Sequence, residues 1–498
     1  MNYISTRDPA KKPYSAAQVI KMGLAPDGGL FLPESIPALT REEVFALCKE
    51  SYPVRAAKIL EKFLTDYTYE ELLADCTAAY SEASFPGGAA PLVKINESLY
   101  SLELWHGPTA AFKDMALQLM PRLLSRALVK TGESRDALIL VATSGDTGKA
   151  ALEGYKDIDH IRMMVFYPVD GVSRVQKLQM ATQTGSNLSV CAIRGNFDDA
   201  QTGVKKLFSD AEMAEKLDQQ GVFFSSANSI NWGRLVPQIV YYVSAYCDLL
   251  SRGDIEYGEE IDICVPTGNF GNIFAAYIAK CMGLPLNRLV CGSNTNRILT
   301  DFLNSGTYDR NRPFHLTMSP SMDILISSNL ERLLYLCAGV ENNKAYMNDL
   351  MSGGCYTVPA DIMAAIHKNF AGYSTDEAAT QKTILDYYTN YNYLADTHTA
   401  VGLNCAEQFR AAEGATRKMV VASTASPYKF AADVLASLKG CGRDEITDPL
   451  AALDELSALS GTEIPYPLKG LATRKVNFTE VIDAAEMPDA VLGYVANK

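Results

Sequence analysis

The sequence predicts an α/β protein of two or three domains with parallel-rich sheets, on three observations. Six short apolar runs alternate with helical segments over most of the chain, and that alternation is the mark of parallel βαβ units. Two glycine-rich turns each follow such a run and lead directly into a helix. The 498 residues exceed what one core supports, roughly 250 to 300 residues. Hydrophobic content of 48% with 21% charged residues is that of a globular protein, with no bias toward disorder or fibre.

The elements follow in order. Residues 1–95 form an expected N-terminal domain, with the turn-rich opening APDGGLFLPESIP and helical patterns around Arg41 to Leu60 and Thr68 to Ser84. Pro86-Gly-Gly and Pro91 punctuate its end. A smaller α/β domain is expected over 96–225 and a larger one over 226–498, with the chain free to cross between them. ALILVA (137–142), RMMVFYP (162–168), LSVCAI (188–193), IDICVP (261–266), RLVCGS (288–293) and KMVVAS (418–423) read as buried strands. Between them, Ala116, Leu119, Met120, Leu123 and Ala127 share one helical face, interrupted by Pro121.

Several function classes are excluded early. A net charge of -13 argues against nucleic acid or an anionic membrane as the partner, because both are held through Lys and Arg patches. No apolar run approaches the ~18 residues of a spanning helix, and charges interrupt every apolar window near the N-terminus, so a cytoplasmic protein is expected. Eleven cysteines without a CxxC pair and five isolated histidines point to a reducing compartment and no metal site.

The stretch LVATSGDTGKA (140–150) has the look of a nucleotide P-loop and fails its two tests. Thr143 stands where the first glycine is needed, and Ala150 stands where a hydroxyl would hold magnesium. Val141-Ala-Thr-Ser-Gly-Asp-Thr-Gly148 is echoed by Cys264-Val-Pro-Thr-Gly-Asn-Phe-Gly271. Each turn offers unpaired amides and the positive end of a helix dipole, which suits phosphate or carboxylate. Either turn alone also fits a strand-to-helix connection that binds nothing.

Lys113 follows Gly107-Pro108-Thr109 and stands beside Phe112 at the start of a helix. A helix N-terminus and apolar neighbours both disfavour an ammonium, and a neutral lysine is the nucleophile that a Schiff-base enzyme requires. By its spacing alone Lys113 reads as a solvated helix-start lysine.

HGPTAAFKDMALQ, TSGDTG, NSINWGR, PTGNFGN and DTHTAVG, opened by GLAPDGGLFLP, together resemble the threonine synthase family. These are pyridoxal-phosphate enzymes of the tryptophan-synthase-like fold type II. The likeness runs in order from about Met22 to Lys429, and it is to the longer branch with an extended N-terminal domain. It implies two α/β domains flanking a cofactor cleft. Lys113 would form the Schiff base with pyridoxal phosphate, and Gly268, Asn269, Phe270, Gly271 and Asn272 would hold its phosphate. Thr424 would face the pyridine nitrogen, where a neutral hydroxyl replaces the Asp of other pyridoxal enzymes. Ser144, Asp146 and Thr147 match the loop that takes the substrate carboxylate and lies by the ring hydroxyl, with Asp146 counted among the cofactor contacts. Asn228, Ser229, Asn231 and Arg234 match positions around the substrate phosphate.

The implied reaction is that of a carbon–oxygen lyase, converting O-phospho-L-homoserine and water to L-threonine and phosphate by γ-elimination and β-addition, the last step of threonine biosynthesis. The alternatives are another fold type II enzyme, such as a threonine or serine dehydratase, and a catalytically silent relative that binds phosphorylated ligands. A monomer or homodimer is expected. The chain departs from its relatives in two places. Ser426 stands where many carry His, so no role of that His carries over. Asp146 replaces the Asn of shorter relatives, and a carboxylate beside a phenolate-like oxygen repels it unless one of them is protonated. His106 and His398 read as structural or as standing just behind the site, Glu259-Glu260 and Asp198-Asp199 as solvated charges, and Trp232 with the tyrosine-rich segment 240–246 as helix packing.

Overall fold

The computed structural model describes residues 1–143, 145–169 and 172–497. β1 (Tyr3–Ser5) pairs antiparallel with β2 (Phe31–Pro33). The helical stretch expected from Arg41 to Leu60 is two helices, Arg41–Leu47 and Tyr52–Glu61. Pro53 falls in the first turn of the second, where a missing N–H costs nothing. The next helix, Tyr69–Ala79, begins at a capping box between Thr68 and Glu71. This N-terminal segment packs on the long helix Trp232–Arg252. The Tyr3 and Phe63 rings lie 5.6 and 6.0 Å from Trp232, and Arg55 donates to Ser244 at 2.7 Å and Asp248 at 2.6 Å.

β3 (Leu92–Asn96) and β4 (Leu99–Glu103) form an antiparallel hairpin. Then come β5 (Asp136–Ala142), β6 (Ile161–Pro168), β7 (Leu188–Arg194), β8 (Val222–Ser225), β9 (Ile261–Pro266) and β10 (Leu286–Ser293). A short antiparallel pair, β11 (Thr307–Asp309) with β12 (Cys355–Thr357), precedes β13 (Phe370–Ser374), β14 (Met419–Ser423) and β15 (Val481–Asp483). All six runs expected as strands are strands.

One sheet has the order β13-β10-β9-β14-β4-β3 and the other β15-β7-β6-β5-β8. Every pairing is parallel except β3 with β4. Strands such as β9 are buried along their whole length, as parallel sheets covered by helices require. The expected domain boundaries are redrawn by this pairing. β3 straddles residue 95 and β4 lies past it, yet both complete the six-stranded sheet, because β4 takes its register from β14 through Leu99 and Met419. β15, expected in the larger domain, joins the five-stranded sheet beside β7. Among the described residues no helix is long and apolar enough to cross a membrane.

The amphipathic helix expected after Lys113 is split into Lys113–Leu117 and Met120–Lys130, with Pro121 in the first turn of the second. The helix Asp146–Tyr155 lies directly against the first piece. A Cβ on Gly154 would stand 1.8 Å from the Leu117 carbonyl oxygen, so only glycine lets the two helices approach. Gly154→Ala is expected to destabilise the protein by about 1–3 kcal/mol through overpacking, read as a lower denaturation midpoint. Gly493→Ala, in the helix Met487–Ala496 with open space around it, is expected to hold or raise that midpoint, because alanine is the better helix former.

Candidate active site

The two sheets meet at Lys113. The segment before it runs from β4 and is clamped by the chain leaving β14. Phe112 N–H donates to the Thr424 carbonyl at 2.8 Å, Ser426 N–H donates to the Ala110 carbonyl at 3.0 Å, and Ala111 bridges Ala425. Thr109 donates through its N–H and hydroxyl to the buried Asp114 carboxylate at 2.8 and 2.6 Å, which ties the turn to the first turn of the helix. Thr424 is thereby brought beside the lysine segment, and its hydroxyl makes no hydrogen bond among the described residues.

The Lys113 side chain is 12% exposed, with Nζ 3.7 Å from Asp146 Oδ2 and 3.4 Å from Ser321 Oγ. Asp146 opens the helix that follows β5. Its carboxylate accepts from Gln176 Nε2 at 2.7 Å and Ser321 Oγ at 3.2 Å, and pairs with Lys429 Nζ at 3.1 Å. Lys429 has no exposed side-chain surface and also donates to the Thr109 carbonyl at 2.8 Å. Burial lowers the Lys113 pKa to about 8; the Asp146 charge opposes this, while those of Lys429 and Arg234 reinforce it. Burial would raise the pKa of Asp146, but Lys429, Lys113, the Gln176 amide and His398 outweigh it and hold the carboxyl well below its ordinary range. The charge of Asp146 thus has its counter-ions built in, and the chief one lies in the segment Ser426–Phe430.

Ser321 links this cluster to the second glycine turn. Its N–H donates to His398 Nε2 at 3.1 Å, and a Cβ on Gly268 would stand 3.0 Å from its carbonyl oxygen. His398 is buried with Nδ1 2.8 Å from Asp396, so its proton sits on Nδ1 and Nε2 is the acceptor. In the turn Gly268–Asn272, Phe270 adopts the left-handed conformation (φ 60°) at the start of the helix Gly271–Cys281. The turn's carbonyls are held from outside. Gly268 O accepts from Ser327 Oγ at 2.8 Å, and Asn269 O accepts from the backbone and side-chain amides of Asn329 at 3.2 and 2.9 Å. Among the described residues the amides of Gly268, Asn269, Phe270, Gly271 and Asn272 find no acceptor. Asn272 Oδ1 accepts from Tyr242, while its buried Nδ2 has no partner. Carbonyls turned away and amides left open at a helix N-terminus are an anion cradle.

The first turn is organised differently. Thr143 Oγ1 accepts from the amides of Gly145 at 2.9 Å and Gly148 at 3.0 Å. Lys149 is buried and bonded to Glu153 at 2.9 Å and to Gln183, so it takes no part in the turn. Thr147 is half-buried in the helix's first turn. Ser144 lies outside the described residues.

Within Asn228–Arg234, Asn228 is exposed and accepts from Ser229 Oγ at 3.2 Å. Asn231 is fully buried and caps the helix through Gly233 N–H at 2.9 Å, while its amide donates to the Ile20 carbonyl at 3.0 Å. Its side chain is occupied in holding the loop on the N-terminal segment, which leaves nothing for a ligand. Arg234 is 4% exposed, donates to the Ala227 carbonyl at 2.8 Å, and keeps Nε buried and unpartnered. Burial lowers its pKa to about 10.

A lysine poised to lose its proton, a cradle of open amides and an unpaired buried guanidinium fit a phosphorylated aldehyde and a second anion. Residues 84–425 match the family model described as pyridoxal-phosphate dependent enzyme, and that is the class of this protein. Residues 2–80 match threonine synthase N terminus, and residues 399–491 match threonine synthase, C-terminal. Threonine synthase from Pseudomonas aeruginosa is 38% identical over 86% of this chain and 89% of its own. PLP-bound threonine synthase from Brucella melitensis superposes with a TM-score of 0.88 at 36% identity over 99% of both chains. The chain belongs to the threonine synthase family, and its cofactor is pyridoxal phosphate. It spans only 58% of the length of threonine synthase-like 1 from Macaca fascicularis, to which it is 39% identical over 85% of its own residues.

Lys429, Ser321 and Gln176 were missed as site residues from sequence, whereas His398 lies behind Ser321, one of the two places read for it. The only signal for Lys429 was a lone lysine in the apolar run Ser-Pro-Tyr-Lys-Phe. In the cofactor-free protein, Asp146→Asn removes the anion that favours the Lys113 ammonium, so the amine is expected to become reactive at lower pH. Lys429→Met removes a like charge, so the same midpoint is expected to move to higher pH. The rate of reductive methylation of Lys113 against pH measures both, and shifts in the same direction would refute the assigned polarity.

Proposed function

We propose that this chain converts O-phospho-L-homoserine and water to L-threonine and phosphate. The observation that carries this reading is Arg234, a buried guanidinium with a free Nε whose charge reaches Lys113 and which has no carboxylate partner among the described residues. A buried cation is costly unless it is paired. A phosphate leaving group on a substrate anchored at Lys113 is the partner of matching charge.

Pyridoxal phosphate, when bound, supplies a conjugated ring that takes up the negative charge left at the substrate's α-carbon. The chain's residues do the rest. Gly268, Asn269, Phe270, Gly271 and Asn272 hold the cofactor phosphate through open amides and the Asn272 side chain. Thr424 would hold the pyridine nitrogen through its free hydroxyl, and Asp146, fixed by Lys429, would face the ring hydroxyl. Lys113 would hold the cofactor through Nζ; with that amine freed by the substrate's own, Nζ would take the α-proton, pass it on, and only then take a β-proton. Arg234, with Asn228 and Ser229, binds the phosphate whose bond to the γ-carbon breaks, and the charge-assisted bonds favour its departure. A proton is then delivered to the γ-carbon, which becomes the methyl group, water adds its hydroxyl to the β-carbon, and a proton returns to the α-carbon, so that the net change is one water taken up and one phosphate released. Ser144 and Thr147 take the substrate carboxylate at the helix N-terminus. Asn231 fixes the geometry of the phosphate loop from behind. We further infer a cytosolic enzyme acting as a monomer or homodimer, consistent with eleven free cysteines.

Incubation of the holoenzyme with O-phospho-L-homoserine is expected to release phosphate and threonine in equal amounts. Release of a keto acid from serine or threonine, with no turnover of the phosphorylated substrate, would overturn the reading in favour of a dehydratase. Lys113→Ala is expected to abolish turnover. Arg234→Met is expected to lower kcat/KM for the phosphorylated substrate by roughly 10- to 100-fold, the worth of a buried charge-assisted bond, while the cofactor stays bound, seen as a retained visible band.

A further inference from the structure

A second buried arginine stands behind both phosphate loops. Arg332, in the helix beginning at Leu330, has no exposed surface and donates in three directions. Nε reaches the Phe31 carbonyl on β2 at 3.0 Å, Nη2 the Ile230 carbonyl at 2.6 Å, and Nη1 the Asn329 side-chain oxygen. Its guanidinium also lies 5.8 Å from the Trp232 ring. Ile230 belongs to the Asn228–Arg234 loop. With its oxygen taken by Arg332, the Asn329 amide turns its Nδ2 onto the Asn269 carbonyl at 2.9 Å, next to its own backbone N–H on the same oxygen at 3.2 Å. That carbonyl is one of the two whose outward orientation leaves the amides of Gly268–Asn272 open.

We propose that Arg332 is a positioning residue that sets the cofactor-phosphate loop through Asn329 and ties it to the substrate-phosphate loop and to the N-terminal β-pair. The inference rests on the assignment of Gly268–Asn272 to the cofactor phosphate. Two features distinguish this role from ordinary packing. A planar fork meets three acceptors in three segments at once, which a lysine ammonium cannot reproduce. The guanidinium also has no carboxylate in salt-bridge contact among the described residues. The neighbouring Glu331 carboxylate is taken by Arg7 at 2.8 and 2.7 Å and by Thr6 at 2.6 Å. Burial lowers the Arg332 pKa to about 9, opposed by the charge of the neighbouring Glu331, and the guanidinium lies behind an anion cradle, held by neutral acceptors alone. The link through Asn329 ends on the Asn269 carbonyl, so the residue bears on the turn assigned to the phosphate and not on the ring or the aldehyde.

Binding of pyridoxal phosphate and of pyridoxal, which lacks the phosphate, to the cofactor-stripped protein separates these effects, with the visible band of the Lys113 adduct as readout. Arg332→Lys is expected to weaken pyridoxal phosphate roughly tenfold or more while leaving pyridoxal within about twofold, as befits the loss of a hydrogen bond to a charged group. Unchanged affinity for pyridoxal phosphate, or equal weakening of both, overturns the inference. If Arg332→Lys lacks a cooperative thermal transition, Asn329→Ala carries the same expectation. Asn272→Ala tests the loop assignment separately. If that variant keeps the wild-type discrimination, the placement of the cofactor phosphate falls; if it loses discrimination while Arg332→Lys keeps it, only the role of Arg332 falls.

Discussion

A single buried carboxylate between two ammoniums joins the halves of this molecule. Asp146 comes from the five-stranded sheet, while Lys113 and Lys429 leave strands of the six-stranded sheet and lie 3.7 and 3.1 Å away. Gln176 from the first side and Ser321 from the second satisfy the remaining lone pairs. Removing one partner of such a buried set leaves an uncompensated charge, typically costing about 3–5 kcal/mol, so the cleft geometry and the ionisation of its lysine are one property. The close approach at Gly154 and Leu117 holds the two helices that carry Asp146 and Lys113 in register.

Around this joint an acidic protein has assembled a local excess of positive charge. The net charge of -13 is that of the whole chain, while Arg234 and Arg332 are buried and outside every salt bridge among the described residues. Their hydrogen bonds go to carbonyl dipoles and one amide, which stabilise a guanidinium without neutralising it. A guanidinium buried against dipoles alone is stabilised further by any anion brought near it. The N-terminal segment contributes directly, since Phe31 and Ile20 supply carbonyls that hold Arg332 and Asn231.

Much of this was legible in the sequence, and the gaps have physical causes. Strands buried on both faces, such as IDICVP, announce themselves as continuous apolar runs. β15 is three residues long with only Ile482 buried, and β13 carries a glycine in its centre, so neither has a period to read. The boundary near residue 95 followed turn signals at Pro86 to Pro91, but strand pairing is set by partners more than 300 residues away. Lys113 and the two glycine turns stand in local motifs and were found. Ser321 lies in an irregular segment and acquires meaning only across 175 residues from Asp146. Lys429 went unremarked because nothing local shows that its apolar neighbours enclose it. Asn231 was placed on the substrate by its motif, whereas its local chemistry as an N-cap already described what the structure shows it doing.

The two look-alike turns illustrate how one residue decides how many backbone amides a glycine-rich turn leaves open. VATSGDTG and CVPTGNFG align position for position, so Thr143 corresponds to Pro266. The Thr143 hydroxyl folds back onto the amides of Gly145 and Gly148, so the P-loop-like turn consumes donors that a nucleotide phosphate would need. Pro266 has no hydroxyl to offer, and the Thr267 hydroxyl donates away to the Val265 carbonyl at 2.7 Å. The second turn therefore keeps its amides open, and Phe270 accepts a left-handed backbone that points them to one side. Where Asp146 brings a charge to the first turn, Asn269 brings none to the second. Cationic groups gather at the first while the second keeps its amides open, so the resemblance to a nucleotide loop lies in the spacing of glycines and ends with the residues between them.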